Sequence, residues 1–155
     1  MGFDISQITD YLYVSAWPDR KYTDEIRSLN IQLILSTHWL LPGKFLRQPP
    51  YHLLWLPMID SPLTPIPLPL LHRGVQAALP VIRDGGNILV HCRYGVHRSV
   101  AMACCVLIGK GYSADDAMQM VKNGRKAADP YRWYIRSRIE NFELDWLKTK
   151  KMPAS

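Results

Sequence analysis

Long apolar runs are missing from this chain. No stretch reaches the ~18 residues that a bilayer-crossing helix needs. The first residues hold neither a basic segment nor a long apolar one, so no secretory leader is expected. Cysteine is scarce. The three present, Cys92, Cys104 and Cys105, cannot form a paired framework, and adjacent Cys104 and Cys105 are poor partners for each other. A reducing, cytoplasmic setting is therefore expected. Neither a nucleic-acid-reading motif nor an aromatic–basic alternation occurs, so no specific nucleic-acid binding is expected. Acidic residues also run short in one half. Residues 1–75 carry six Lys/Arg and six Asp/Glu, whereas residues 76–155 carry thirteen against seven. The formal charge of +6 thus belongs to the second half, which favours an anionic substrate, the alternative being a solvated basic surface.

The second half also holds the most informative stretch, Asn87-Ile88-Leu89-Val90-His91-Cys92-Arg93-Tyr94-Gly95-Val96-His97-Arg98-Ser99. Ile88, Leu89 and Val90 follow a turn at Asp84-Gly85-Gly86 and read as a short buried strand. Val100 to Ile108 is apolar all round, which at helical length means a helix enclosed on every side. Cys92 is therefore placed where a central strand hands over to the start of a buried helix. Helix N-termini present unpaired N–H groups and favour anions. Thiols there are commonly ionised near neutrality, so Cys92 is expected as an accessible, oxidisable thiolate, helped by Arg93, Arg98 and His97. Five residues separate Cys92 from Arg98, enough to curl the backbone into a nest of N–H groups around a tetrahedral oxyanion. Gly95 allows angles that a side chain would resist, and Arg98 can hold two phosphate oxygens at once. These parts together suit phosphoryl transfer.

The string His91-Cys92-Arg93-Tyr94-Gly95-Val96-His97-Arg98-Ser99 resembles the active-site loop of the cysteine-dependent phosphatases, the HCX5R motif. Asp60, in Leu56-Pro57-Met58-Ile59-Asp60-Ser61-Pro62, stands 32 residues before Cys92, as the general-acid aspartate does in small, atypical dual-specificity phosphatases. Leu12-Tyr13-Val14-Ser15 and Val121-Lys122-Asn123-Gly124-Arg125 are similar to that family as well. The resemblance implies that Cys92 attacks phosphorus to give a phosphocysteine. Arg98 and the loop residues Arg93, Tyr94, Gly95, Val96 and His97 would bind the phosphoryl oxygens. Asp60 would protonate the leaving oxygen and then act as base on water. Ser99 would support the sulfur, His91 would orient the loop from below, and Arg125 would lie near the pocket. No metal or other cofactor is implied. His97 occupies a loop position that varies widely in the family, and with Arg93 it is expected to make the pocket unusually basic.

In chain order, Ile5 to Ser15 reads as a first strand or hairpin, Tyr22 to Leu29 as a short helix and Ile31 to Ser36 as a second central strand. Tyr51 to Met58 reads as a third strand with Asp60 beyond its end. Prolines 57, 62, 65, 67 and 69 make a stiff loop the preferred reading over a polyproline docking segment. Helices are expected over Leu70–Arg83, from the Ser113 cap to Asn123, and from Asp129-Pro130 to about Leu147. In the last helix Trp133, Ile139, Phe142 and Trp146 are expected to face inward. Cys104 and Cys105 read as core. Strands alternating with helices, and a reactive loop at a strand's carboxyl end, give one domain over 1–155. Its expected class is three-layer α/β/α with a mostly parallel central sheet, dual-specificity phosphatase-like. Met1-Gly2-Phe3-Asp4-Ile5-Ser6 formally fits an N-myristoylation pattern, though Phe3 is bulky for it.

The expected function is a phosphatase for phosphotyrosine and phosphoserine or phosphothreonine in proteins, acting as a monomer through a shallow pocket. A phosphoinositide or RNA 5′-phosphate is the nearer alternative substrate. A rhodanese-like sulfurtransferase and a non-catalytic phosphate-binding module are the others, and neither has a use for Asp60.

Overall fold

The computed structural model describes residues 2–151, so the first residue of the myristoylation pattern lies outside it. Its chain runs β1 Ile5–Gln7, β2 Leu12–Ser15, α1 Thr23–Ser28, β3 Ile31–Ser36, β4 His52–Trp55, α2 Leu68–Arg83, β5 Asn87–His91, α3 Arg98–Gly109, α4 Ala114–Gly124 and α5 Trp133–Lys151. The sheet order is β1-β2-β5-β3-β4. Only β1 pairs antiparallel, in a hairpin with β2; β2, β5, β3 and β4 are mutually parallel. β5 is therefore central, paired on both edges, and its carboxyl end delivers Cys92 to the rim where such sheets bind ligands.

Alternation along the strands sorts their side chains into two layers. Ile88 and Val90 of β5 join Leu33 and Leu35 of β3 in the larger cluster, under α2 to α5. Leu89 and Ile34 face the other way, with Phe3, Ile26 of α1, Leu46 and Tyr51. Ile31 and Leu33 fall in different clusters despite even spacing, because the β3–β5 register shifts between them. The result is α/β/α, with four helices on one face and α1 on the other.

α3 is the hub of the larger layer, and every residue from Arg98 to Ile108 is buried. Gly74 of α2 lets the two helices approach closely: a methyl at that position would collide with Met102 Sδ and Cε. Cys104 and Cys105 are fully buried in this core, and burial pushes both thiols up, so they pack as small apolar groups. Ser113 caps α4 by accepting from the Asp116 N–H at 3.1 Å. Glu143 of α5 accepts from Ala114 N–H at 2.6 Å and ties the two helices together.

Three expected boundaries shift, each for a local reason. β4 stops at Trp55, with one further ladder bond from Leu56 N to Ser36 O at 2.8 Å, where the ring of Pro57 locks φ away from the parallel-strand value. α2 starts at Leu68 and takes Pro69 into its first turn, where no intrahelical donor is needed. α5 starts at Trp133, not Pro130, and continues to Lys151. Trp133, about 120° round the helix from Ile139, faces outward and is 68% exposed, while Ile135, Ile139 and Phe142 form the buried stripe and Trp146 is half-buried.

Phe142 is fully buried and packs against the His72 ring, with centroids 4.6 Å apart, and on Trp146. Phe142→Ala should cost about 3–5 kcal/mol in urea unfolding, because it opens a cavity between α2 and α5; a loss under about 1 kcal/mol would contradict this packing. His91, at the end of β5, is fully buried, and burial lowers its pKa from 6.5 to about 4. The unfolded chain therefore binds a proton that the folded chain refuses. Stability should fall as pH drops from 6.5 towards 4, by at most about 1.4 kcal/mol per pH unit from this group. His91→Gln should flatten that slope in urea titrations at a series of pH values, and parallel curves for the two proteins would contradict it.

Candidate active site

Between β5 and α3 the chain leaves the sheet in a tight loop, with Gly95 N–H turned towards the Cys92 sulfur, and the carbonyls of the loop need donors from their surroundings. They are all met. The His91 carbonyl accepts from Thr37 N–H at 2.9 Å and from the Thr37 hydroxyl at 2.8 Å. The Cys92 carbonyl accepts from His91 Nδ1 at 3.3 Å, which fixes the Nδ1–H tautomer of a neutral ring. Arg93 O accepts from Trp17 N–H at 2.9 Å, Val96 O from Asp129 N–H at 3.0 Å, and His97 O from Ala101 N–H at 2.8 Å. The Tyr94 and Gly95 carbonyls accept from Arg125, Nη2 at 3.0 Å and Nε at 2.8 Å.

Arg125 ends α4 and is 2% exposed. The rest of its fork grips both oxygens of Asp4, each at 3.0 Å, and Ser6 Oγ at 3.1 Å. It lies behind the loop and bolts it to the β1 hairpin. Gly95 has φ +68°, and a Cβ there would sit 2.6 Å from Arg125 Nη2 and 2.8 Å from Ser15 O. A side chain would therefore meet both backbone strain and a collision.

On the inner side, Cys92 Sγ accepts from Gly95 N–H at 3.3 Å and lies 3.1 Å from Ser99 Oγ. The residue is 2% exposed, so the sulfur lies deep in the fold, not at the open surface that the sequence suggested. The depth follows from β5, whose end is covered by its neighbours' loops. Arg98 Nη1 donates to Met58 O at 3.1 Å, which leaves its buried Nε without a protein partner.

Asp60, Cys92, Tyr94, Val96, His97 and Arg98 line one cavity of about 190 Å³. A larger hollow of about 500 Å³, bordered by Trp17, Arg20, Lys44 and Phe45, has no cysteine, serine or threonine in its lining. Arg93 lies outside the reactive cavity, exposed, with its guanidinium 5.8 Å from the Tyr94 ring centre. The loop that carries Asp60 is pinned at its far end, where Ile66 is buried and its carbonyl accepts from Arg138 Nε at 2.9 Å.

Asp60 itself is held by two donors. Tyr134 Oη donates to Oδ1 at 2.7 Å, and His97 Nδ1 donates to Oδ2 at 2.9 Å. Burial alone would raise this carboxyl's pKa, but the two hydrogen bonds and the His97 and Arg98 charges outweigh it and hold Asp60 below its ordinary value. The same contacts push the Tyr134 phenol up to about 12, through burial first and then the bond to Asp60 and its charge. His97 thus turns towards carboxylates, and its Nε2 is 3.6 Å from Asp129 Oδ2.

Sequence reasoning missed Tyr134 and Asp129 as parts of the site. Tyr134 lies 74 positions from Asp60, and no spacing rule links them. The one available signal was Asp129-Pro130, which reads equally well as a helix start.

The dual specificity phosphatase catalytic-domain family matches residues 12–142. The chain is 38% identical over 109 residues to the Mus musculus dual specificity phosphatase 28, covering 70% of this chain and 65% of that protein. It is 33% identical over 129 residues to the Arabidopsis thaliana protein-tyrosine-phosphatase MKP1, covering 82% of this chain and 16% of that protein. The chain thus spans less than two thirds of either relative's own length. A mouse putative dual specificity phosphatase complexed with zinc tungstate superposes with a TM-score of 0.86 at 26% identity, over all of this chain and 96% of that one. PTPMT1 in complex with PI(5)P shares the fold, with a TM-score of 0.82 at 20% identity over 94% of this chain and 98% of that one. A match that runs from β2 into α5 and takes in Asp60, Cys92, Arg98 and Tyr134 alike means that the chain belongs to the dual specificity phosphatase catalytic-domain family.

Proposed function

We propose that this protein is a phosphomonoester hydrolase working through a phosphocysteine on Cys92, with residues 1–155 acting as one catalytic domain. The observation that carries the reading is the shared cavity: a sulfur, a buried guanidinium Nε without a protein partner and a carboxyl all border about 190 Å³. A binding module has no use for the first or the last, and a sulfurtransferase has none for the carboxyl.

The Cys92 thiolate attacks phosphorus along the line opposite the leaving oxygen, so the S–P bond forms as the ester P–O bond breaks. Arg98 Nε and the inward loop amides receive the three equatorial oxygens, supplying fixed positive field with little reorganisation. Asp60 hands the leaving oxygen its proton. Water then attacks the phosphocysteine and gives a proton to Asp60, and the S–P bond breaks to release inorganic phosphate. The hydrogen bond from Ser99 Oγ, 3.1 Å from Sγ, stabilises the departing thiolate. Gly95 N–H does the same from the other side. His91 and Arg125 act on the loop alone, one through the Cys92 carbonyl and the other through those of Tyr94 and Gly95.

The substrate favoured is a phosphorylated protein side chain, which would meet the exposed Tyr94 at the cavity's edge. Unpaired cysteines support a cytoplasmic setting, and the described residues contain no helix long and apolar enough to cross a membrane. A phosphorylated lipid headgroup is the second reading. Trp39, Leu40 and Leu41 stand exposed just after β3, at the same end of the sheet as the cavity, and exposed aromatic residues near basic ones suit a lipid interface.

Cys92→Ser should abolish turnover of phosphopeptides while phosphate or vanadate binding remains measurable. Residual turnover near the native rate would remove Cys92 as nucleophile. Asp60→Asn should slow an alkyl phosphate by roughly 10²–10⁴-fold and a nitrophenyl phosphate far less; equal slowing of both would remove Asp60 as acid. Rates on phosphopeptides against inositol-lipid vesicles, measured side by side, separate the two substrate classes.

A further inference from the structure

The acid assigned above faces a difficulty within its own surroundings. Its carboxyl accepts hydrogen bonds on both oxygens and is held below the ordinary carboxylate range, so near neutrality it is ionised and has no proton to give. Two protons lie within reach of it, that of the Tyr134 hydroxyl, 2.7 Å from Oδ1, and that of His97 Nδ1, 2.9 Å from Oδ2; the phenol, pushed up to about 12, keeps its own, which leaves His97 as the donor.

His97 sits between two carboxylates, Asp60 on Nδ1 at 2.9 Å and Asp129 facing Nε2 at 3.6 Å. Its side chain is 14% exposed, and Nε2 is buried with no hydrogen-bond partner, the Asp129 distance being too long for one. The Tyr134 ring stands edge-on, with centroids 5.8 Å apart. Two cations oppose a charge on His97. Arg98 follows it in the chain, and Arg132 Nε lies 3.5 Å from Asp129 Oδ2 and draws on that carboxylate. An imidazole with an anion at each nitrogen is arranged to carry a proton, since both N–H groups of the charged ring then point at acceptors.

We infer that the proton delivered to the leaving group is stored on His97: the working acid is the His97 imidazolium–Asp60 carboxylate pair, with Tyr134 and Asp129 as positioning residues. This rests on Asp60 being the acid of the proposed reaction. As the ester P–O bond breaks, the leaving oxygen takes a proton from Asp60 and Asp60 takes the Nδ1 proton. His97 is left neutral with its remaining proton on Nε2, directed at Asp129. In the second step water's proton passes to Asp60 and on to Nδ1, which restores the imidazolium with no net consumption. Tyr134 holds the other carboxyl oxygen still, so that the oxygen facing His97 is the one that moves the proton.

The test is the pH dependence of kcat/KM on an alkyl phosphate and on nitrophenyl phosphate, for the native protein, His97→Gln, Asp129→Asn and Tyr134→Phe. Gln keeps an amide donor for Asp60 but carries no transferable proton. His97→Gln should lose at least roughly tenfold more rate on the alkyl than on the aryl substrate. Its alkaline limb should move to lower pH by about one unit or more, because Asp60 must then hold the proton alone. Asp129→Asn should move the limb in the same direction by less, as the imidazolium loses one facing anion. Tyr134→Phe should move it to higher pH, because the carboxylate loses a donor and becomes more basic. Native limbs in His97→Gln and Asp129→Asn, or equal losses on both substrates, would overturn the pair. If His97→Gln does not fold, the shift in Asp129→Asn decides. Turnover that persists in Cys92→Ser would instead overturn the phosphatase reading itself, so the two failures are distinguishable.

Discussion

The loop from His91 to His97 holds its shape because all seven of its carbonyls meet a donor, five of them from outside the loop and the helix it leads into. Three of those donors are backbone groups from separate parts of the fold: Trp17 after β2, Thr37 after β3 and Asp129 before α5. The fourth external clasp is Arg125, whose guanidinium reaches two adjacent carbonyls and continues to Asp4 and Ser6. The parallel sheet matters here because it ends β2, β3 and β5 on one rim, so their following residues can reach the same loop. Pre-organisation of the amides is thus a property of the whole sheet edge. For the proposed reaction the consequence is that the field around sulfur and phosphoryl oxygens needs little rearrangement.

Charge around the cavity is arranged in two zones. The floor is cationic or donating, from Arg98, Gly95 N–H and the first turn of α3. The wall towards α5 holds carboxylates, Asp60 and Asp129, with His97 between them. The excess positive charge of the second half therefore does not translate into a uniformly basic pocket. His97 is occupied by acids, and Arg93 stands outside beside Tyr94. In the proposed reaction that division keeps the sulfur and the proton source electrostatically separate within about 190 Å³.

Much of this was legible from local sequence. The strand–loop–helix around Cys92, the Ser113 cap and the core placement of Cys104 and Cys105 each follow from a short pattern whose physics is local, whereas Asp60 was reached through its 32-residue spacing from Cys92 and the family resemblance. Arg125 was placed near the site, but its burial and its clasp depend on Asp4 and Ser6, more than a hundred residues away. Trp133 was misplaced because six residues separate it from Ile139, which sets it about 120° round the helix from the Ile135, Ile139 and Phe142 stripe wherever the helix starts. Asp129 is used outside the helix, its N–H on Val96 O and its carboxylate beside His97, and the helix begins later than Pro130. Tyr134 followed from nothing local, since its partner is set by the crossing of α5 over the Asp60 loop.

The most direct test of the central claim is to stop the reaction in acid during steady turnover and locate the phosphoryl group by peptide mass spectrometry. The account predicts one phosphoryl increment on the peptide containing Cys92, with none on Cys104 or Cys105. Turnover with Cys92 unmodified at every quench time, or a phosphoryl group on another residue, would contradict it.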